Sequence, residues 1–279
     1  MAIHLPLDFQ EDMLQYYQAT DENSRLLRIE NELELLRTRE ILLRYLPGVP
    51  AEIIDVGGGP AVHSFWLAGL GYATHLVDIV PKHIEQARQV NQGKGSILTS
   101  LAIGDARALA FPDHSAEAVL LLGPLYHLVQ EEDRQAALRE AHRVLRPGGI
   151  LIAQAISRYA ALVKLLSRQM LGDQRLIKVA QETARTGQHL PKPEMDFFTS
   201  AYFHHPCELE KEITQTGFQH RATLAVEGPA RLLGRGFGPH WQNSLARQWL
   251  LDLAREVEAE PSLLGVSGHL MAVAVKPGN

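Results

Sequence analysis

The spacing of hydrophobic positions changes along this chain, and the changes divide it. Within residues 10–46, Leu26, Ile29, Leu33 and Leu36 recur three and four apart, one face of an amphipathic helix, and Pro47-Gly48 ends the run. One or two helices capping a downstream unit are predicted there. From residue 51 to about 156, short apolar runs alternate with helical segments. EIIDV (52–56), ATHLVDI (73–79), SILTSLAIGD (96–105), AVLLLG (118–123) and PGGILIAQAI (147–156) read as strands. Helices fall between them at 62–70, from Pro81 onward, and at 131–145, the last with acids in its first turn and basic residues in its last. Strands separated by helices imply βαβ units, hence a parallel sheet covered on both faces, and near-continuous apolar strands suit that burial.

Residues 158–206 break the alternation. Two helical stretches are followed by HLPKPEMDFFTSAYFHHP, rich in proline and aromatics. About fifty residues are too few for a separate core, so the segment reads as a lid or substrate-pocket insertion. Helix, strand, helix and strand then resume over 207–279. The expected architecture is one domain, residues 1–279, of doubly wound α/β type. It has an N-terminal helical cap (1–48), a cofactor-binding core (49–157), a helical insertion after strand five (158–206) and a C-terminal part of the core (207–279). Its sheet is mostly parallel and seven-stranded.

Composition narrows the function classes. Of 279 residues, 46% are hydrophobic and 21% charged, as in an ordinary globular protein, and the net charge of −5 argues against a broad phosphate-gripping face. No nucleic-acid partner is expected. The only cysteine is Cys207, so neither an internal disulfide nor a thiolate cluster can form. The first residues, MAIHLPLDFQEDM, carry acids rather than a basic region before an apolar stretch, and no apolar run approaches a bilayer's thickness. A cytoplasmic protein without membrane contact, monomer or homodimer, is therefore expected.

The stretch DVGGGPA places a glycine-rich turn between the first strand and the first helix, where a backbone free of Cβ atoms approaches a ligand. A dinucleotide fingerprint needs a third small residue three positions beyond Gly59, and Val62 stands there. Asp55, two residues ahead of Gly57, would put a carboxylate beside a pyrophosphate. It suits a ligand carrying an amino group instead.

Asp55, Gly57 and Gly59 resemble the first motif of the class I S-adenosylmethionine-dependent methyltransferases, an acid followed by alternating glycines, with Ala61 in place of the last glycine. The resemblance implies a Rossmann-like fold and S-adenosyl-L-methionine as cofactor, with S-adenosyl-L-homocysteine as product. It implies that Asp78, nineteen residues after Gly59, takes the ribose hydroxyls and that Ile79 packs on the adenine. Asp105 would hold the adenine amino group, with Ala106 supplying a backbone contact. RVLRPGGILI matches the family's turn before strand five. The family's leading segment closes over the cofactor, which makes Tyr17 a cofactor contact.

Ligands of open parallel sheets sit beyond the carboxyl ends of the strands, so GPLYHL after strand four faces the transferred methyl. Gly123 opens that turn at the cofactor. Tyr126 is expected in the pocket wall, and His127 is the first candidate base for a hydroxyl acceptor. His204, late in the insertion, is the second. Tyr202 and His269 are candidate substrate contacts. His204, His205 and Cys207 lack zinc spacing, and no metal is expected. The absence of an Asn/Asp-Pro-Pro-Tyr pattern disfavours base and glutamine N-methylation, leaving a small-molecule acceptor with an oxygen, nitrogen or carbon nucleophile. The alternatives are a nicotinamide-dependent oxidoreductase and a non-catalytic S-adenosylmethionine-binding protein.

Overall fold

The computed structural model describes residues 8–20, 22–25, 28–191, 195 and 198–278. Among them, five parallel strands form the centre of a sheet: β1 (Glu52–Val56), β2 (Ala73–Asp78), β3 (Ser100–Ile103), β4 (Ala116–Leu121) and β5 (Leu145–Ser157). Their spatial order is β3-β2-β1-β4-β5. The third strand is shorter than 96–105 predicts. Ser96 adopts a left-handed backbone, and the Leu98 N–H is held by the Asn91 side chain, so the chain enters the sheet late.

Two short strands interrupt the C-terminal part, β6 (Gln188–His189) and β7 (Ala201–His204), before β8 (Gln219–Ala225) and β9 (His269–Val275) complete it. Strand β9 runs antiparallel between β5 and β8. Strand β7 pairs in parallel with the end of β5, Ile156 with Phe203, past the last residue that β4 reaches, Ala153. The seven expected strands are thus present, and the insertion adds a two-stranded extension over the carboxyl end of β4. The mostly parallel, Rossmann-like α/β class holds.

The helices are α1 (Asp8–Ala19), α2 (Glu22–Arg25), α3 (Glu32–Tyr45), α4 (Val62–Gly69), α5 (Pro81–Gly93), α6 (Pro124–His127), α7 (Glu131–Val144), α8 (Ala160–Ser167), α9 (Gln174–Thr186), α10 (Pro206–Gln215), α11 (Phe237–Gln242) and α12 (Ser244–Glu256). Successive strand residues point to opposite faces. Ile54, Val119 and Leu151 accordingly pack with α7 and α10, whereas Ile53, Leu120 and Ile152 pack with Ile41, Leu42 and Leu67 of α3 and α4. The cap breaks more often than one or two helices. Of its predicted apolar face, Leu26 lies outside the described residues. Ile29, Leu33 and Leu36 pack against Ala230, Phe237, Trp241 and Leu250, which ties the cap to the C-terminal helices. No helix among the described residues is long and apolar enough to cross a membrane.

Candidate active site

After β1 the chain turns outward through β2 and β3, then returns to β4 on the other side. The crevice between the carboxyl ends of β1 and β4 is where such sheets take ligands. A cavity of about 190 Å³ lies there. Gly57, Gly59 and Ala61 all adopt positive φ, at 70°, 58° and 74°. The left-handed conformation costs an ordinary residue about 1–2 kcal/mol, so Ala61 is held by its fully buried packing against Leu76 and Ile84. A Cβ on Gly57 would lie 2.7 Å from the Pro124 ring, whereas one on Gly59 would enter open space. The loop after β1 therefore touches the loop after β4, and Gly59 faces the cavity.

Carboxylates frame this loop. Asp78 accepts the Gly59 N–H at 2.8 Å and the Val80 N–H at 2.8 Å, and its Oδ1 lies 3.2 Å from His83 Nδ1. It both clips the glycine turn and starts α5. Asp55 is fully buried beneath the turn. Its Oδ2 accepts the Ser64 hydroxyl, while its Oδ1 is buried without a partner. Burial raises its pKa to about 6, with Ser64 opposing and Asp78 adding to the rise. Asp105 is gripped by the Arg107 guanidinium at 2.6 Å, and Arg107 also reaches Asp133 at 2.9 Å. Ile79, Ala106 and Gly123 line the same cavity.

The cap closes one wall. Tyr17 Oη lies 2.8 Å from His127 Nε2, and its ring meets His83 edge-on. His127 Nδ1, His63 Nδ1 and His83 Nε2, all belonging to cavity-lining residues, are buried without partners. Burial lowers the pKa of His127 to about 3 and that of His63 to about 4, so both rings are neutral near pH 7.

A second cavity of about 200 Å³ adjoins the first, sharing Tyr17, Glu22, Arg25, Glu34 and Tyr126 with it. Tyr16, Phe198, Phe203 and Ile156 also line it, as does His269. His269 Nδ1 sits 2.7 Å from Glu227. Burial opposes the charge on His269, but Glu34 and Glu227 outweigh it and raise the pKa.

Two predicted residues lie elsewhere. His204 and Tyr202 line neither cavity. Side chains alternate along a strand, and on β7 it is Phe203 that faces the second cavity. Tyr202 instead lies under the Arg134 guanidinium at 3.8 Å. His204, fully buried, faces Glu212, itself paired with Arg134 at 2.7 Å. Sequence reasoning also missed Arg25, Glu34, His63 and His83. The helical spacing around Glu34, and the position of His83 five residues after Asp78, were the signals available for two of them.

Open parallel sheet, glycine turn and flanking carboxylates are the arrangement of a nucleotide-cofactor site, and Asp55 keeps one oxygen unpaired under the turn. The unpartnered ring nitrogens and the open space at Gly59 fit a compact adenosyl ligand.

Comparison with known proteins sharpens this class. Residues 54–153 match the family model described as a methyltransferase domain. Demethylmenaquinone methyltransferase of Tropheryma whipplei is 30% identical over 193 residues, covering 67% of this chain and 75% of that protein. The ubiquinone/menaquinone biosynthesis C-methyltransferase UbiE of Roseobacter denitrificans is 29% identical over 123 residues, 43% of this chain and 48% of its own. Among solved structures, 1,6-didemethyltoxoflavin-N1-methyltransferase of Burkholderia thailandensis, with S-adenosylhomocysteine bound, superposes with a TM-score of 0.61. It is 13% identical and covers 99% of this chain and 92% of its own. The chain belongs to the class I S-adenosylmethionine-dependent methyltransferases. It is a methyltransferase of small-molecule type, and the nicotinamide-dependent reading falls away.

Proposed function

We propose that this enzyme methylates an aromatic hydroxy compound, a phenol or hydroquinone, on carbon or oxygen. The observation that carries the proposal is the second cavity, lined by aromatic side chains and opening onto the first across Tyr17 and Tyr126. That relatives are named for demethylmenaquinone and for O-methylation supports the same class.

In this reading Asp78 receives the ribose hydroxyls on its remaining lone pairs, and Asp55 faces the ammonium of the methionine tail. Gly57, Gly59 and Gly123 leave room for the cofactor against backbone, Ile79 and Ala106 flank the adenine, and Asp105 turns a lone pair to its amine. When bound, the cofactor supplies an electrophilic methyl group on a sulfonium. Tyr17 and the cap exclude water from the cavity. A hydroxyl at the Tyr126 side meets His127, whose neutral ring accepts a hydrogen bond on Nδ1 when Nε2 donates to Tyr17. With a pKa near 3, His127 orients the hydroxyl rather than storing its proton. Positioning of this kind is the main lever in an in-line displacement. His204 and Tyr202 have structural work in the Arg134–Glu212 network and take no part.

The test is incubation with S-adenosylmethionine and a panel of phenols, hydroquinones, amines and aliphatic alcohols, followed by mass spectrometry. An aromatic hydroxy compound should gain one methyl group with equimolar S-adenosylhomocysteine, and His127→Ala should cut kcat by about a hundredfold. Methylation confined to the amines or aliphatic alcohols would contradict the proposal.

A further inference from the structure

The second cavity has unlike ends. At the end shared with the cofactor cavity the acids are matched, Glu22 and Glu34 by Arg25. The opposite end carries Arg231 and Lys164, which also line a small adjoining cavity of about 30 Å³ together with Arg168, Glu30 and Glu227. Glu227 is already occupied. Its Oε2 accepts the Ser267 hydroxyl and the His269 N–H, both at 2.9 Å, and its Oε1 faces His269 Nδ1. Among the described residues, Arg231 makes no hydrogen bond or close ion pair; it lies beside Gly268 with Glu227, which attracts it while His269 repels it. His189 nearby is held neutral: burial lowers its pKa to about 3, with the charge of Lys164 adding to the effect. Between the two ends run Tyr126, Phe198, Phe203 and Ile156.

We propose that the acceptor is a hydroxylated aromatic carboxylic acid, its ring held between these side chains and its carboxylate directed to Arg231, away from the atom that receives the methyl group. The proposal rests on the reading above that the second cavity holds the acceptor. A guanidinium fork matches a carboxylate in two parallel hydrogen bonds. The small adjoining space, about 30 Å³, suits a group of that size. Lys164 lies alongside and adds charge without needing direct contact. Arg231 is thus a specificity-determining residue, remote from the reacting atoms.

The experiment uses the full chain saturated with S-adenosylhomocysteine. Benzoates, hydroxybenzoates and naphthoates are titrated calorimetrically beside their uncharged carboxamides. At least one carboxylate should bind about tenfold or more tightly than its amide. Arg231→Gln should abolish that preference, Arg231→Lys should keep part of it, and both variants should bind S-adenosylhomocysteine as the unaltered protein does. Equal binding of acid and amide, no binding by any carboxylate, or a preference that survives Arg231→Gln would overturn the inference while the cofactor site stood. Failure of the unaltered protein to bind S-adenosylhomocysteine would remove the underlying reading as well.

Discussion

Asp55 concentrates the tension between stability and function at one residue. Its carboxyl, fully buried, has a pKa near 6 against an ordinary value of 3.8. Between those values the folded protein holds a proton that the unfolded chain has released, so stability falls as pH rises through the window and levels off above pH 6. A carboxylate kept ionised there at neutral pH is a cost of folding, on the order of 1–3 kcal/mol. Asp55→Asn, which still offers Ser64 an acceptor, should therefore raise the melting temperature of the ligand-free protein at pH 7 and flatten its decline between pH 4 and 6. The same variant should weaken S-adenosylmethionine binding. In the unaltered protein that affinity should climb by up to about tenfold from pH 5 to 7. Thermal melts and titrations across this range check both signs, and an affinity independent of pH would remove Asp55 from the ammonium.

Asp55 and Asp78 were legible in the sequence because the glycine turn between their strands fixes where their side chains must go. Tyr202 and His204 lie outside both cavities, and choosing between them and Phe203 needs the strand's parity, which an irregular aromatic-rich stretch conceals. Of the groups they meet, Glu212 lies on the very next helix, whereas Arg134 belongs to a helix far back in the sequence.

The cap supplies one wall of the cavity beside the glycine turn, through Met13 and Tyr17. Lys82, in the first turn of α5, donates to the carbonyls of Gln18 and Thr20 at 2.9 Å and reaches that of Tyr17 at 3.4 Å. A cation at the carbonyl end of a helix satisfies its open acceptors and complements its dipole. The strand end that carries Asp78 is thereby tied to the helix that carries Tyr17. Lys82→Met should speed amide hydrogen exchange across residues 8–19 in the free protein and weaken S-adenosylhomocysteine binding by up to about tenfold. Bound S-adenosylhomocysteine should slow the same amides in the unaltered chain. Exchange in α1 that ignores both changes would mean that the cap does not gate the site.

Elements of this chain were readable in proportion to their length and regularity. The central strands announce themselves as apolar runs, since both faces are covered. Strands β6 and β7, two and four residues long, carry no such pattern and exist because the end of β5 outruns β4 and leaves an edge to pair. The cap's breaks were hidden for a different reason. Ile29, Leu33 and Leu36 keep helical spacing, yet they pack on α11 and α12, whose positions no local pattern records.

For the whole molecule, the order of the sheet decides the outcome. Reversal of the strand order between β1 and β4, which run parallel, brings the glycine turn against Pro124 and sets His127 within reach of Tyr17. The insertion then adds Phe198 and Phe203 over the same strand ends, and the C-terminal part supplies Arg231 and His269. Both cavities are products of one topology, each assembled from segments far apart in the chain. The most direct measurement is calorimetric titration of S-adenosylhomocysteine into the purified protein and its Asp78→Ala variant, with NADH as control. Micromolar binding by the unaltered protein, at least about tenfold weaker in the variant and absent for NADH, is the predicted result. A silent titration, or equal affinity in the two proteins, would contradict it.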